Sequence, residues 1–268
     1  MKFEIVTIFP DFFRGPFDFG IIRRAKEAGL VEINTHDLRA FTKDKHRTVD
    51  DRPFGGGEGM VLKPEPIFEC IESLRGLGSS CATDIPVRQT VILLSAAGQP
   101  FTQHVAAELA QMDRITIICG RYEGVDERVA QQLADCEISI GNFVLSGGEL
   151  AAALIVDTVT RLIPGALGNE ASSKQESFTH DEHVVEGEPS STCGSGGLLD
   201  YPHYTRPAEF RGISVPEPLL NGNHEEIKRW RRKEALRKTL RNRPELLDAV
   251  ELSKEDRKLL DELRSEHS

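Results

Sequence analysis

Three short glycine-containing loops hold the residues of this 268-residue chain that are best suited to binding a ligand. Each loop follows a run of apolar residues typical of a buried strand, at residues 90–94, 114–119 and 137–140. In an open parallel sheet, ligands bind beyond the carboxyl ends of the strands, and glycine lets them approach the backbone closely. Together the loops would frame a pocket for a nucleoside-like molecule; alternatively, the glycines only make tight turns. We name residues 95–98, 120–124 and 141–148 the first, second and third glycine loops.

Several common catalytic motifs are absent from the sequence. It contains no GxxxxGK[ST] and no GxGxxG, so ATP hydrolysis and dinucleotide binding lose support. It also lacks GxSxG and HExxH, and Ser146 is not placed like an activated nucleophile. Hydrolase chemistry is therefore not expected.

The elements around the glycine loops predict an α/β fold. Short apolar strands alternate with helical patterns, as a parallel sheet covered on both faces requires. The long polar segment 41–59 has no period, which is typical of a functional loop. The predicted elements of this part are a strand at 3–9, strands at 90–94, 114–119 and 137–140, and helices at 19–29, 101–112, 126–135 and 150–163.

Changes of composition predict the domain organisation. Residues 1–164 form the α/β domain. Residues 165–198 are rich in Gly, Ser, Glu and His and are predicted to be a flexible linker. Residues 199–268 form a small domain with helices at 224–243 and 253–265.

The composition also limits the class of protein. Hydrophobic residues make up 39% and charged residues 28%, which is typical of a globular protein. No apolar run approaches the ~20 residues that span a bilayer, and no export signal is recognised. The five cysteines form no CxxC pair, so reduced thiols and a cytoplasmic location are expected.

One predicted helix is strongly basic although the formal net charge of the chain is −10. Residues 228–243 carry nine Lys or Arg residues and a single acid, Glu234. Such a helix favours a phosphate-binding surface, but it could equally be a solvated face paired with neighbouring acids. Trp230 could stack on a base, although a single Trp among apolar helix positions is more often part of a core.

Several strings in the sequence resemble the bacterial tRNA (guanine-37-N1)-methyltransferases. They are DKHRTVDDRPFGGGEGMV, ICGRYEGVDERV, EISIGNFVLSGGELAA, RLIPGALGNEAS and LLDYPHYTRP. The resemblance extends from IVTIFP near the start to NHEEIKRWRRKEAL near the end. Strings of this length in the order of one family are highly specific.

The resemblance implies a fold and an activity. The implied fold is a parallel-sheet domain with a deep trefoil knot, of the SPOUT type, followed by a small all-helical domain. The implied enzyme is a homodimer whose active site lies between the subunits. It transfers a methyl group from S-adenosylmethionine to N1 of guanosine 37 of tRNA, beside the anticodon and after another guanosine. Magnesium is implied to assist, and neither DNA nor a membrane is expected as a partner.

The resemblance places the cofactor on the three glycine loops and the strands before them. The matching positions are Leu93, Leu94, Ser95 and Gly98, then Gly120, Tyr122, Glu123 and Gly124, and then Ser139, Ile140, Gly141, Phe143, Leu145, Gly147 and Gly148.

The reaction itself needs a base and a cation. Guanine N1 carries a proton at neutral pH, so a carboxylate must remove it while a cation stabilises charge on O6. The resemblance places the cation at Arg161 and the base at Glu176, where the family has an aspartate. The longer side chain moves the oxygens by roughly 1 Å, which can cost about 10²-fold in rate. Asp181 is an alternative base, and Glu176 could also be a solvated loop acid.

The segment 179–197 is a second departure from the family pattern. Its His180, Asp181, Glu182 and His183 fit no known closed metal site, so a solvated insertion is expected.

The resemblance also indicates contacts with the substrate. Residues of the loop 43–59 would contact the target nucleotide or the anticodon backbone, or else form structural salt bridges. The basic helix would hold the phosphates of the anticodon arm. The expected substrate-binding residues are His46, Arg47, Asp50, Arg52, Lys228, Arg229 and Arg232.

Two other functions remain open from the sequence. One is a related knotted methyltransferase with another RNA target. The other is a tRNA-binding protein that has lost catalysis, with Glu176 as the trace of that loss.

Overall fold

The computed structural model describes residues 1–76, 87–168, 176–179 and 195–266. The chain divides into two units, an N-terminal unit, Met1–Gly168, and a C-terminal unit, Asn169–Ser268. Of the helices that the structure describes, none combines the length and the apolar character needed to cross a bilayer.

The N-terminal unit is built on a five-stranded parallel sheet in the order β2-β1-β6-β5-β7. This confirms the α/β prediction and the four predicted strands. The strands are β1 (Lys2–Thr7), β2 (Glu32–Asp37), β5 (Gln89–Pro100), β6 (Arg114–Cys119) and β7 (Cys136–Ser139), and a separate short pair is formed by β3 (Asp50–Asp51) and β4 (Val61–Leu62).

Helices cover both faces of the sheet because successive side chains of its central strands point to opposite sides. Ile117 is buried in one apolar core and its neighbour Ile118 in the other. The first core packs against α1, α3 and α5, and the second against α2 and α4. These helices are α1 (Gly20–Glu27), α2 (Pro64–Gly76), α3 (Gln103–Leu109), α4 (Glu127–Gln132) and α5 (Glu149–Thr160).

In the N-terminal unit the strands β2, β3 and β4 and the helix α2 were not predicted, and β3 lies inside the segment 41–59 that was predicted to be a loop. β2 is an edge strand with the mixed sequence EINTHD and no fully buried residue, so it lacks an apolar signal. α2 does carry a helical signal, since Ile67, Cys70, Ile71 and Leu74 are buried at helical spacing.

β5 is longer than the strand predicted at 90–94. Leu94 and Gln99 both lie opposite Ile138 of β7, so the first glycine loop is a bulge within one strand. Between Leu94 and Gln99 the backbone of β5 leaves its regular pairing with β7.

The C-terminal unit is helical, as predicted, but it is not all-helical, because it also contains a two-stranded hairpin. Its helices are α6 (His224–Asn242), α7 (Glu245–Asp248) and α8 (Lys254–Ser265), and a small hairpin is formed by β8 (Glu209–Phe210) and β9 (Ile213–Ser214). Asn223 caps α6, and Ser253 with Asp256 forms a capping box on α8. The core consists of leucines: Leu198, Leu236, Leu247, Leu259, Leu260 and Leu263.

The predicted linker, residues 165–198, is packed at both ends. Ala166 belongs to the first core of the N-terminal unit, and Leu198 is fully buried in the core of the C-terminal unit. Both are apolar residues in a segment rich in Gly, Ser, Glu and His, and burial of such side chains stabilises the backbone around them. Residues 169–175 and 180–194 of this segment lie outside the described residues.

Candidate active site

The three glycine loops meet around one cavity of ≈ 570 Å³, which we call the three-loop cavity. It lies at the bulge of β5 and the carboxyl ends of β6 and β7, the side of the sheet where a ligand is expected. The structure brings together fourteen of the fifteen predicted cofactor-binding residues around it: Leu93, Leu94, Ser95, Gly120, Tyr122, Glu123, Gly124, Ser139, Ile140, Gly141, Phe143, Leu145, Gly147 and Gly148.

Gly98 is the exception, since it is not one of the lining residues. A Cβ atom at Gly98 would lie 2.5 Å from the backbone carbon of Glu137. The bulge of β5 is therefore pressed against β7, and glycine is needed there for packing between strands. At this position the glycine serves the packing of two strands, not a ligand and not a tight turn.

A buried ion pair joins the second and third glycine loops. Arg121 Nε and Nη2 each lie 2.9 Å from Glu149 Oε2, and Glu149 is 1% exposed. Thr7 Oγ1 donates a second hydrogen bond to Glu149 at 2.7 Å. The carboxylate thus ties β1, the second loop and the start of α5 to one point.

Backbone contacts complete this junction. Gly148 N donates to Gly120 O at 2.9 Å, and Arg121 Nη1 donates to Ser146 O at 3.0 Å. A Cβ atom at Gly147 would lie 2.1 Å from Arg121 Nε, so only glycine leaves room for that side chain. The shape of the cavity therefore depends on Arg121 and Glu149, neither of which was predicted.

Arg121 and Glu149 were missed although the sequence carries a signal for each of them. Arg121 stands inside the quoted string ICGRYEG, and Glu149 is the single charge at the start of the apolar run 150–156. A charged residue that begins an apolar helix is a signal for a buried partner. The missed lining residues are Ala96, Ala97, Arg121, Val125, Glu127, Ala130, Glu137, Ile138, Val144, Ser146 and Ala151.

The loop 43–59 is fastened to the second glycine loop at its carboxyl end. Glu123 N donates to Met60 O and Leu62 N donates to Gly124 O, both at 3.0 Å. At its other end Asp44 closes a turn, accepting hydrogen bonds from the backbone of His46 and Thr48. A hydrogen bond from the Thr48 hydroxyl lowers the pKa of Asp44 below its ordinary value, and the two backbone bonds lower it further.

The predicted substrate-binding residues of this loop differ in exposure. His46, Arg47 and Arg52 are exposed, whereas Asp50 is half-buried in the strand β3. Arg47 has a φ of +52°, a conformation uncommon for a residue other than glycine. Three of the four side chains are therefore accessible to a large ligand.

The two predicted catalytic residues lie in different units. Arg161 ends α5 in the N-terminal unit, its backbone N–H donating to Asp157 O at 3.2 Å. Glu176 lies in the C-terminal unit, in the described segment 176–179. That segment is held by Phe178 N donating to Leu198 O and by Asp200 N donating to Ser177 Oγ, both at 2.9 Å. Asp181, the alternative base, lies outside the described residues.

One side of the basic helix α6 is neutralised by acids of α8. Arg232 forms a two-bonded pair with Asp256, at 2.7 and 2.9 Å, and Arg229 lies 3.5 Å from Glu262. Lys233 and Arg237 approach Glu266 at 2.7 and 2.9 Å. On this side of α6 the basic residues are therefore paired with neighbouring acids, which was the alternative to a phosphate-binding surface. The predicted tRNA contacts of Arg229 and Arg232 stay predictions, as does that of Lys228, which is exposed.

Asp256 is the most enclosed acid of this pairing. Burial by itself would raise the pKa of Asp256, but the hydrogen bonds and charge of Arg232, together with Ser253, outweigh it. The pKa of Asp256 is therefore lowered from its ordinary value, and the carboxylate stays charged.

The sequence matches one protein family over most of its length. The family model described as tRNA (Guanine-1)-methyltransferase TrmD matches residues 1–249. A protein of Koribacter versatilis named tRNA (guanine-N(1)-)-methyltransferase is 62% identical over 270 residues, covering 99% of each chain. Proteins of the same name from Dehalococcoides mccartyi and Dictyoglomus turgidum are each 50% identical, covering 98% or more of both chains. The chain therefore belongs to the tRNA (guanine-1)-methyltransferase family.

Proposed function

We propose that this chain transfers a methyl group from S-adenosylmethionine to N1 of guanosine 37 of a tRNA in which guanosine also stands at position 36. The observation that carries the proposal is the three-loop cavity, which collects the cofactor positions of a chain that belongs to this family. The site would operate in the cytoplasm, where such an enzyme meets its tRNA.

The residues around the three-loop cavity fit a nucleoside-containing methyl donor. Leu94, Ile140 and Leu145 offer apolar walls, and the glycine loops offer backbone N–H and C=O groups for hydrogen bonds. The volume of ≈ 570 Å³ lies within the range of small-molecule pockets, about 300–1,000 Å³. When bound, S-adenosylmethionine supplies an electrophilic methyl group. We further infer that the backbone around the cavity forms the trefoil knot of the family.

The proposed chemistry assigns separate tasks to two side chains. Glu176 removes the proton from guanine N1, so that the nitrogen lone pair becomes available for methylation. Arg161 stabilises the negative charge that develops on O6 as the proton leaves. Arg161 belongs to the N-terminal unit and Glu176 to the C-terminal unit.

A homodimer is supported by exposed apolar side chains next to the cavity. Leu150 and Leu154 lie one turn apart on α5, and their side chains are 55% and 42% exposed. Phe143 and Val144, which line the cavity, are also exposed. Large exposed apolar side chains on a helix and on the loop before it are typical of a protein interface, and a second copy of this chain would cover them.

Magnesium stays a prediction. In the described ranges no three His, Cys, Asp or Glu side chains converge on a point that could hold a metal ion.

The function is tested by methyl transfer from labelled S-adenosylmethionine to tRNA transcripts. We expect label in a transcript with guanosine at positions 36 and 37, and none when position 37 is changed. Label in both transcripts would indicate a related methyltransferase with another target. No label in spite of tRNA binding would indicate the binding protein without catalysis.

A further inference from the structure

The C-terminal unit contains a second cavity, of ≈ 510 Å³, which we call the aromatic cavity. Four ring side chains line it: Tyr201, His203, Tyr204 and Trp230. Leu219, Leu220 and Ile227 line it as well, so the walls are mostly apolar. No cofactor position of the N-terminal unit takes part in it.

The rings form two contacting pairs. The ring centroids of Tyr204 and Trp230 lie 6.1 Å apart at 59°, and those of Tyr201 and His203 lie 4.7 Å apart at 50°. None of these rings belongs to the leucine core of the unit, and Tyr204 is 48% exposed. The ring of Tyr204 is thus accessible to a flat ligand.

The charge around the aromatic cavity is positive. Arg206 and Arg231 line it, and no Asp or Glu is among the lining residues. Arg231 does not join the described ion pairs of α6 with α8; its guanidinium lies 4.8 Å from the centroid of the Tyr201 ring. Aromatic faces beside unneutralised arginines suit a planar group that carries a phosphate.

We propose that the aromatic cavity is a stacking site for an unpaired base of the tRNA anticodon arm. The proposal rests on the proposed function, because it takes tRNA as the ligand. Aromatic side chains stack on bases that are free of pairing, and arginines next to them hold the adjoining phosphates. Base-paired RNA would reach the arginines only.

Trp230 provides the test, because it is the single Trp of the chain. We would titrate the full-length protein with an anticodon stem-loop RNA that contains guanosine 36 and 37, and follow Trp fluorescence. A blunt RNA duplex of the same stem, with no unpaired base, is the control. The expected result is a saturable decrease of fluorescence with the stem-loop and little change with the duplex.

Substitutions make the test independent of the fluorescence signal. Tyr204→Ala and Trp230→Ala are expected to weaken stem-loop binding about tenfold, and Trp230→Phe to retain most of it. Phe210→Ala is the matched control, since Phe210 is an exposed aromatic residue of the same unit that does not line the cavity. The KM for S-adenosylmethionine should not change in any of these variants. If Trp230→Ala fails to fold, Tyr204→Ala and the wild-type fluorescence still decide.

Two results would overturn the stacking site. One is stem-loop binding without any fluorescence change and with Tyr204→Ala within twofold of wild type. The other is Trp fluorescence that changes with protein concentration in the absence of RNA, which would show that a second copy of the chain fills the cavity. A fluorescence decrease without methyl transfer to guanosine 37 would instead refute the proposed function and leave the stacking site standing.

Discussion

Glu176 is the side chain on which the proposed proton transfer depends, and it stands where the resemblance implies an aspartate. Its segment is fixed locally, since Phe178 and Ser177 bond to the chain at Leu198 and Asp200. A base attached to a fixed backbone can hold its position even when its side chain is one methylene longer. This would let glutamate replace aspartate without loss of the reaction.

We expect Glu176→Gln to lower kcat for methyl transfer by at least about 100-fold, because the amide cannot accept the N1 proton. Glu176→Asp should retain most of the activity. Single-turnover assays with labelled S-adenosylmethionine measure the effect. Glu209→Gln, at an exposed carboxylate of the same unit, is the control. Undiminished turnover in Glu176→Gln would assign the base to another residue, with Asp181 the first to substitute.

At the level of single residues, the sequence predicted where the cavity lies but not what each glycine does there. Glycines after apolar strands predicted a pocket at the three loops, because strand ends in a parallel sheet converge. The resemblance to the family then implied the fourteen lining positions. Gly98 shows the limit of the pattern, since its lack of a side chain serves strand packing. No sequence pattern distinguishes a glycine near a ligand from one near another strand.

Among the elements, the junction of β1, the second glycine loop and α5 rests on Glu149. Its carboxylate is enclosed and accepts bonds from Thr7 and Arg121. Without it, the guanidinium of Arg121 would be left beside the cavity with no carboxylate. Replacement of one partner of a buried pair typically costs about 3–5 kcal/mol.

Glu149→Ala is therefore expected to lower the free energy of unfolding by about 3 kcal/mol and to weaken binding of S-adenosylhomocysteine. Urea denaturation and titration calorimetry measure the two effects. Glu72→Ala, at an exposed acid of α2, is the control. Wild-type affinity together with reduced stability would show that the ion pair serves the fold and not the shape of the cavity.

The pairing of α6 with α8 predicts a pH dependence. The pKa of Asp256 is lowered in the folded state, so its contribution to stability is full above the unfolded pKa and is lost as the pH falls through the folded pKa. Asp256→Asn should cost about 2–4 kcal/mol at pH 7, and clearly less near pH 3. Urea unfolding followed by Trp230 fluorescence reports on this unit. An equal loss at both pH values would contradict the charge pairing.

With the exception of α2, the elements of the N-terminal unit were predicted where their residues are strongly apolar or strongly periodic. β6 and α5 are examples, because one is buried along nearly its whole length and the other carries a long apolar run. β2 could not be predicted, since an edge strand with partly exposed side chains needs no alternation. The pairing of α6 with α8 was also beyond the sequence, because it depends on how two helices meet.

At the scale of the whole molecule, the chain divides into two units, and we propose that two copies of it form a dimer. Arg161 belongs to the unit Met1–Gly168, and Glu176 belongs to the unit Asn169–Ser268. Composition indicated such a division, since the apolar pattern ends near residue 164. It could not indicate that both ends of the predicted linker are packed.

The exposed leucines of α5 allow a test of the proposed dimer. Leu154→Arg would place a charge in the proposed interface and should give a monomer with little methyl transfer. Sedimentation analysis measures the oligomeric state. Val87→Arg, at an exposed apolar residue before the amino end of β5, is the control. A wild-type protein that sediments as a monomer at assay concentrations would refute the proposed dimer.

The place of the methyl donor is tested most directly by calorimetric titration of S-adenosylhomocysteine into cavity variants. Ala97 lines the three-loop cavity and is exposed, so Ala97→Trp fills space without disturbing a core. Ala28→Trp changes an exposed alanine outside the cavity. We predict one binding site per chain in the wild type and in Ala28→Trp, and an affinity at least about tenfold lower in Ala97→Trp. Equal affinity in all three proteins would contradict a cofactor site formed by the glycine loops.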